Sequence, residues 1–203
     1  PLGSYLLTLS IYIYDLQPWT VDINFSLAQL ESINPLSYRW ISAVSGVGLI
    51  YVGYKLALEL FNRKGFAALV ALFLALDGSL LVDSRLGLIN IFLTLFGFMA
   101  ILFFVKGIKG HNLGQLLLSG LMLGAAISTK WNGLGFWLTL LLFLLLLFIF
   151  GKFSLHSEDK YKNYGLKQAS LVLVLPFLVY LAFWIPELSH NGNTLMDKHS
   201  QMI

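Results

Sequence analysis

Apolar residues occur along most of the chain in long runs, and short polar connections separate these runs. A membrane-spanning helix needs about 20 mostly apolar residues. Six runs come close to that length, and they cover residues 41–61, 66–82, 88–105, 116–129, 134–150 and 169–185. The fourth is long enough only if Lys130 and Trp131 lie at the membrane interface, where cations and aromatic rings concentrate. The pattern predicts an all-α membrane protein, a polytopic helical bundle of about six transmembrane helices.

The first 40 residues differ from this pattern. Their apolar run, residues 5–14, is too short to span a bilayer, and no basic segment precedes it as in a secretory signal. We expect residues 1–40 to form an external loop with an interfacial helix. Residues 41–185 would then form the six-span transmembrane bundle, and residues 186–203 would begin another external loop. On this interpretation the chain is a fragment of a longer protein.

The composition narrows the class of protein further. Hydrophobic residues make up 58% of the 203 residues and charged residues only 11%, whereas soluble domains have about 25% charged residues. These values, with a mean hydropathy of +0.79, exclude a soluble enzyme, a disordered chain and a nucleic-acid-binding arm. The chain has no cysteine, so it can form neither a disulfide nor a thiolate metal site.

The basic residues are divided unequally between the two sets of connections. Nine of the 13 lie in or near one set: Lys55, Arg63, Lys64, Lys106, Lys109, Lys152, Lys160, Lys162 and Lys167. The other four are Arg39, Arg85, Lys130 and Lys198. Cytoplasmic loops carry an excess of Lys and Arg. The first set is therefore predicted to be cytoplasmic, with residues 1–40 and the C-terminal segment on the external side.

Three of the external cations are candidates for a binding site. Arg39, Arg85 and Lys130 each stand at the external end of a different predicted span. Charges near membrane depth commonly line an interior cavity, and three cations at one face would suit a lipid phosphate. Two alternatives stay open. Each cation can bind bulk lipid headgroups at the interface, and Arg85 can form an internal ion pair with Asp77 or Asp83.

Four segments carry a resemblance to a known family. Residues 38–43 read YRWISA and are followed by Gly46, residues 77–85 read DGSLLVDSR, residues 128–134 read STKWNGL, and residues 1–3 read PLG. In order and spacing they resemble the conserved segments of protein O-mannosyltransferases, and Thr-Lys-Trp-Asn-Gly is the most specific. The resemblance covers nearly the whole chain but only the N-terminal portion of a full family member. Residues 1–4 also match the remnant of a cleaved tag.

The resemblance implies a GT-C glycosyltransferase. Such enzymes move mannose from a polyprenyl (dolichyl) phosphate to Ser or Thr hydroxyls of proteins, with inversion and with neither metal nor cofactor. The implied partners are this donor, an acceptor protein, membrane lipid and a second subunit in a dimer, and nucleic acid is not among them. The catalytic base of the family precedes residue 1, so the chain alone is expected to be inactive. The external acids Asp15, Asp22 and Glu31 match no family motif.

The resemblance also implies roles for individual residues. Arg39 is the first candidate for the donor phosphate, and Arg85 and Lys130 come next. Residues that would support the site or form the sugar pocket are Asp77, Asp83, Ser84, Trp131 and Asn132. One departure concerns position 90, where the family has Asp and this chain has Asn90. We expect that an Asp at this position would pair with Arg85.

Other functions remain compatible with the sequence. Another GT-C transferase with a different polyprenyl-linked sugar, a membrane transporter and a non-catalytic membrane subunit are the alternatives. Transporters commonly have inverted repeats and charges near the middle of the bilayer, whereas the charges here lie at one face. His190 and His199 lie near acidic residues, but their spacing fits no metal-ligand motif. Because the chain has no sizeable soluble insertion, we expect the bacterial cytoplasmic membrane rather than the endoplasmic reticulum.

Overall fold

The computed structural model describes residues 2–15, 34–149 and 172–191. They form eight α-helices and one short 3₁₀ turn, Trp131–Gly133. The helices are α1 Leu2–Asp15, α2 Pro35–Phe61, α3 Lys64–Leu76, α4 Gly78–Leu86, α5 Asn90–Lys109, α6 Leu113–Thr129, α7 Leu134–Ile149 and α8 Leu175–Asn191. The predicted all-α membrane fold is confirmed.

Two helices, α2 and α5, are by themselves long and apolar enough to cross a membrane. The bent pair α3 and α4 reaches that length together, whereas α6, α7 and α8 are shorter apolar helices. In the described part of the chain, each of the six predicted runs overlaps one or two of these helices. The span predicted for residues 66–82, however, is two helices that meet at an angle of 58°.

Asp77 explains this break. Its side chain accepts a hydrogen bond from the backbone N–H of Leu80 at 2.9 Å, which is the usual contact of a helix N-cap. The backbone of Asp77 is extended, so it ends α3 and begins α4 at the same residue. A Cβ on Gly78, the next residue, would have no neighbour within 4 Å, so packing does not hold α3 and α4 in line at this point. An aspartate within an apolar run thus starts a new helix.

Close helix packing in the bundle depends on small residues. At Gly107, an added Cβ would lie 2.7 Å from the side chain of Leu116, and the hydroxyl of Ser119 donates to the carbonyl of Ala100 at 2.8 Å. Gly124 brings α6 equally close to Val179 of α8. Small residues at such interfaces let backbones approach each other, and this close packing is one of the forces that hold helices together in lipid.

Helix α1 lies across the end of the bundle that carries Arg39, Arg85 and Lys130, here called the outer end. Gly3, near its start, packs against Ile89 and Thr129. Later in α1, the hydroxyl of Ser10 donates to the carbonyl of Ser37 in the first turn of α2. The two halves of α1 therefore contact different helices at the same end of the bundle. Its position at a membrane interface stays a prediction.

Candidate functional site

The start of α2 and the end of α4 meet at the outer end. Gly87 has a positive φ of 73°, and a Cβ at this position would lie 2.8 Å from the ring of Tyr38. Glycine is thus required both by the backbone conformation and by the neighbouring ring. This contact places the segment that carries Arg39 beside the segment that carries Arg85.

Arg39 has a donor without a partner. Its guanidinium lies 5.7 Å from the centre of the Tyr38 ring, and its Nε is buried with no hydrogen-bond partner among the described residues. A buried donor left unpaired carries a desolvation penalty of about 1–3 kcal/mol. An anion bound beside Arg39 would remove that penalty, which favours the site predicted for this residue.

Lys130 is held at the outer end by both its backbone and its side chain. It ends α6 in an extended conformation, and its Nζ donates to Oδ1 of Asn90 at 3.5 Å. The ammonium group is exposed at the surface of the bundle and bonds a neutral amide. The side chain that reaches position 90 is therefore Lys130, and the pairing expected between an Asp at this position and Arg85 stays a prediction.

Position 90 has a contact that the sequence could not predict. Asn90 opens α5 and lies 40 positions before Lys130, so no local pattern could join them. The sequence marked this position only by its departure from the Asp that the resemblance implies. A carboxylate there would face the same ammonium group.

The 3₁₀ turn after Lys130 is packed tightly against α6. A Cβ on Gly133 would lie 2.6 Å from backbone atoms of Ala126 and Ile127, so this position of the Lys-Trp-Asn-Gly string accepts only glycine. Trp131 is half exposed and its ring meets that of Tyr180 edge-on, with 6.4 Å between centroids. Asn132 is exposed. Trp131 thus connects the turn to α8.

The two acidic residues near Arg85 do not pair with it. No ion pair joins Arg85 to Asp77 or Asp83, and all three lie within the described part of the chain. Asp77 caps α4, and the hydroxyl of Ser84 donates to the carbonyl of Leu81 at 3.0 Å. An internal ion pair, which was one alternative for Arg85, is therefore absent among these residues, and Arg85 is exposed.

The three cations share one end of the bundle but no common contact. Arg39 lies on Tyr38, Lys130 bonds Asn90, and Arg85 lines a groove between α2 and α4. No group of three metal-ligating side chains occurs in the described segments. Asp22, Glu31 and His199, and the side chains of Asp15 and His190, lie outside what the structure describes.

The chain is similar to known proteins in both sequence and fold. The family model "Dolichyl-phosphate-mannose-protein mannosyltransferase" matches residues 1–190. The structure of the S. cerevisiae protein O-mannosyltransferase Pmt1-Pmt2 complex bound to the sugar donor is similar, with a TM-score of 0.74 and 25% sequence identity. The match covers 93% of this chain and 27% of that chain, so this chain spans about a quarter of its length. No curated protein sequence matches significantly.

Proposed function

Because the chain belongs to the dolichyl-phosphate-mannose-protein mannosyltransferase family, we propose that the intact protein moves mannose from a polyprenyl-phosphate mannose to Ser or Thr hydroxyls. The reaction would take place at the external membrane face and invert the anomeric centre. The observation that carries this proposal is the unpaired buried Nε of Arg39, at the same end of the bundle as Lys130.

The chemistry explains why cations are needed there. When the bond between mannose and phosphate breaks, negative charge grows on the departing phosphate. Fixed positive groups in a water-poor site stabilise that charge more strongly in the transition state than in the bound substrate. Arg39 would be the first such group and Lys130 the second. We place Arg85 third, since its exposed side chain lines the α2–α4 groove rather than the Asn90–Lys130 contact.

The contacts of the remaining candidate residues suggest a role for each of them. Trp131, against Tyr180, would form a wall of the sugar or lipid pocket, and the exposed Asn132 beside it would hydrogen-bond sugar hydroxyls. Asp77 and Ser84 would act indirectly by stabilising α4, since their side chains form hydrogen bonds with its backbone. Asp83 would also support the site from within α4. We assign the general base of the proposed reaction to no residue of this chain.

We also propose an assembly and a cellular location for the intact protein. The similar solved structure is a complex of Pmt1 and Pmt2, and we propose that this protein also works as a dimer of mannosyltransferase chains. The chain is an integral membrane protein. We propose the bacterial cytoplasmic membrane as its location.

A direct assay tests the proposed reaction. Membranes with the intact protein are expected to transfer label from polyprenyl-phosphate [³H]mannose to a Ser/Thr peptide, and not to the same peptide with Ala at those positions. The product linkage should have the anomeric configuration opposite to that of the donor. Transfer of a different sugar from its polyprenyl phosphate, with no transfer of mannose, would replace this proposal with another GT-C activity.

Substitutions at position 90 test the contact with Lys130. Asn90→Ala removes one long, exposed hydrogen bond, so mannosyl transfer is expected to fall by less than about threefold. Asn90→Asp should leave the transfer rate at or above that of the wild type. The new carboxylate would pair with Lys130, and an ion pair on an exposed surface changes the free energy of the protein little. Both are measured with the same peptide assay. A loss of more than tenfold in Asn90→Ala would show that the amide itself has a role in the reaction.

A further inference from the structure

The first half of α1 is anchored to the bundle by apolar contacts. A Cβ on Gly3 would lie 3.0 Å from the side chain of Ile89 and 3.1 Å from that of Thr129. One turn later, Leu6 and Leu7 pack against the buried apolar cluster that α2 and α5 form together. These contacts fix the position of α1 relative to the start of α5 and the end of α6.

The second half of α1 is joined to α2 through Ser10. The hydroxyl of Ser10 donates to the carbonyl of Ser37, and the carbonyl of Ser10 accepts a hydrogen bond from the indole Nε1 of Trp40 at 3.4 Å. Ser10 is fully buried, and Ser37 is 2% exposed. Buried groups have no water to bond instead, so losing the hydroxyl would leave part of this contact unsatisfied. Ser10 thus makes two hydrogen bonds to α2, one on each side of Arg39.

Helix α1 therefore contacts the chain beside each polar residue of the candidate site. Ile89 directly precedes Asn90, and Thr129 directly precedes Lys130. The first half of α1 touches these two neighbours, and the second half touches the chain around Arg39. Because α1 is one continuous helix of 14 residues, it sets the separation between Arg39 and the Asn90–Lys130 contact.

We propose that Ser10 is a positioning residue for mannosyl transfer, which holds the start of α2 so that Arg39 faces the donor phosphate. The inference rests on the proposed function, since it needs a phosphate at Arg39. Arg39 lies in the second turn of α2, and the ends of helices open readily unless neighbouring groups hold them. A displacement of about 1 Å can slow an enzymatic reaction about 100-fold. Ser10 would therefore affect the rate without contacting the substrate.

Transfer kinetics in membranes that contain the intact protein test this role. Ser10→Ala removes the hydrogen bond to Ser37, and kcat is expected to fall about tenfold. The KM for the Ser/Thr peptide should not change, because Arg39 would act on the departing phosphate and not on the acceptor. Thr8→Ala is the matched control. It removes an exposed hydroxyl that bonds only the carbonyl of Ser4 within α1, so kcat should stay unchanged.

A double-mutant cycle separates the positioning of Arg39 from a general effect on the fold. If Ser10 acts through Arg39, Ser10→Ala should lower kcat less than about twofold when Arg39 is already Ala. Trp40→Phe removes only the indole N–H and should behave in the same way, with a loss of about threefold when Arg39 is present. Gel filtration and thermal unfolding check that each variant is folded, and Trp40→Phe decides if Ser10→Ala is not.

Two results would overturn the inference while leaving the phosphate site in place. One is a wild-type kcat in folded Ser10→Ala and Trp40→Phe proteins, and the other is an equal loss with and without Arg39. A wild-type kcat in Arg39→Ala is a different failure, because it would refute the proposed phosphate contact of Arg39 itself.

Discussion

Arg39→Ala in the intact protein is expected to slow mannosyl transfer at least about 100-fold, the usual result of removing one electrostatic contact to a transition state. The residue lies in the second turn of α2 at the outer end, and its Nε is buried without a partner among the described residues. Binding of a phosphate there would satisfy this donor and stabilise the charge of the leaving group. The rate is measured in membranes with polyprenyl-phosphate mannose and a Ser/Thr peptide.

Matched variants separate this role from a general effect on the membrane protein. Arg39→Lys should restore only part of the rate, since an ammonium lacks the planar pair of donors. Arg63→Ala removes an exposed arginine at the opposite end and should leave the rate unchanged. Near-normal transfer by a well-expressed Arg39→Ala protein would make Arg39 a residue that binds bulk lipid, and would move the phosphate site to Lys130 and Arg85.

Gly133→Ala is expected to destabilise the fold by about 3 kcal/mol, the upper part of the usual range for overpacking. The added methyl group would lie 2.6 Å from backbone atoms of Ala126 and Ile127, which cannot move aside as a flexible side chain can. The thermal midpoint of the protein in detergent should fall by at least about 5 °C. Transfer activity should fall with it, because the same turn positions Lys130 and Trp131.

Gly135→Ala is the matched control for this variant. It lies two residues later, in the first turn of α7, and a Cβ there has no neighbour within 4 Å. Its thermal midpoint should equal or slightly exceed that of the wild type, since alanine favours a helix. Equal stability of the two variants would mean that the turn can move away from α6, and that the close approach is not required.

The sequence motifs predicted where the three cations of the candidate site lie in the bundle. Arg39, Arg85 and Lys130 were expected at one end of the bundle, and the structure places them there. The sequence left open which side chains pair. An internal pair of Arg85 with Asp77 or Asp83 was one alternative because these residues are near it in the chain, but the structure has no such pair and Asp77 bonds the backbone of its own helix.

The break in the third helical segment was also missed, although a signal for it existed. Asp followed by Gly is typical of a helix boundary, since Asp caps N-termini and Gly is a poor helix former. The apolar residues on both sides outweighed this signal, so residues 66–82 were predicted as one span. The groove between α2 and α4 could not be foreseen without the break.

The sequence by itself determined the family, the all-α class and the approximate position of each helix. These follow from apolar runs because every backbone polar group in lipid must be hydrogen-bonded within the chain, which leaves helices as the structure for such runs. Only the tertiary structure decided that Lys130 contacts Asn90, that the ring of Tyr38 packs against Gly87 and that Arg85 lines a groove. These contacts join different helices, and the close packing of particular side chains, rather than hydrophobicity, selects them.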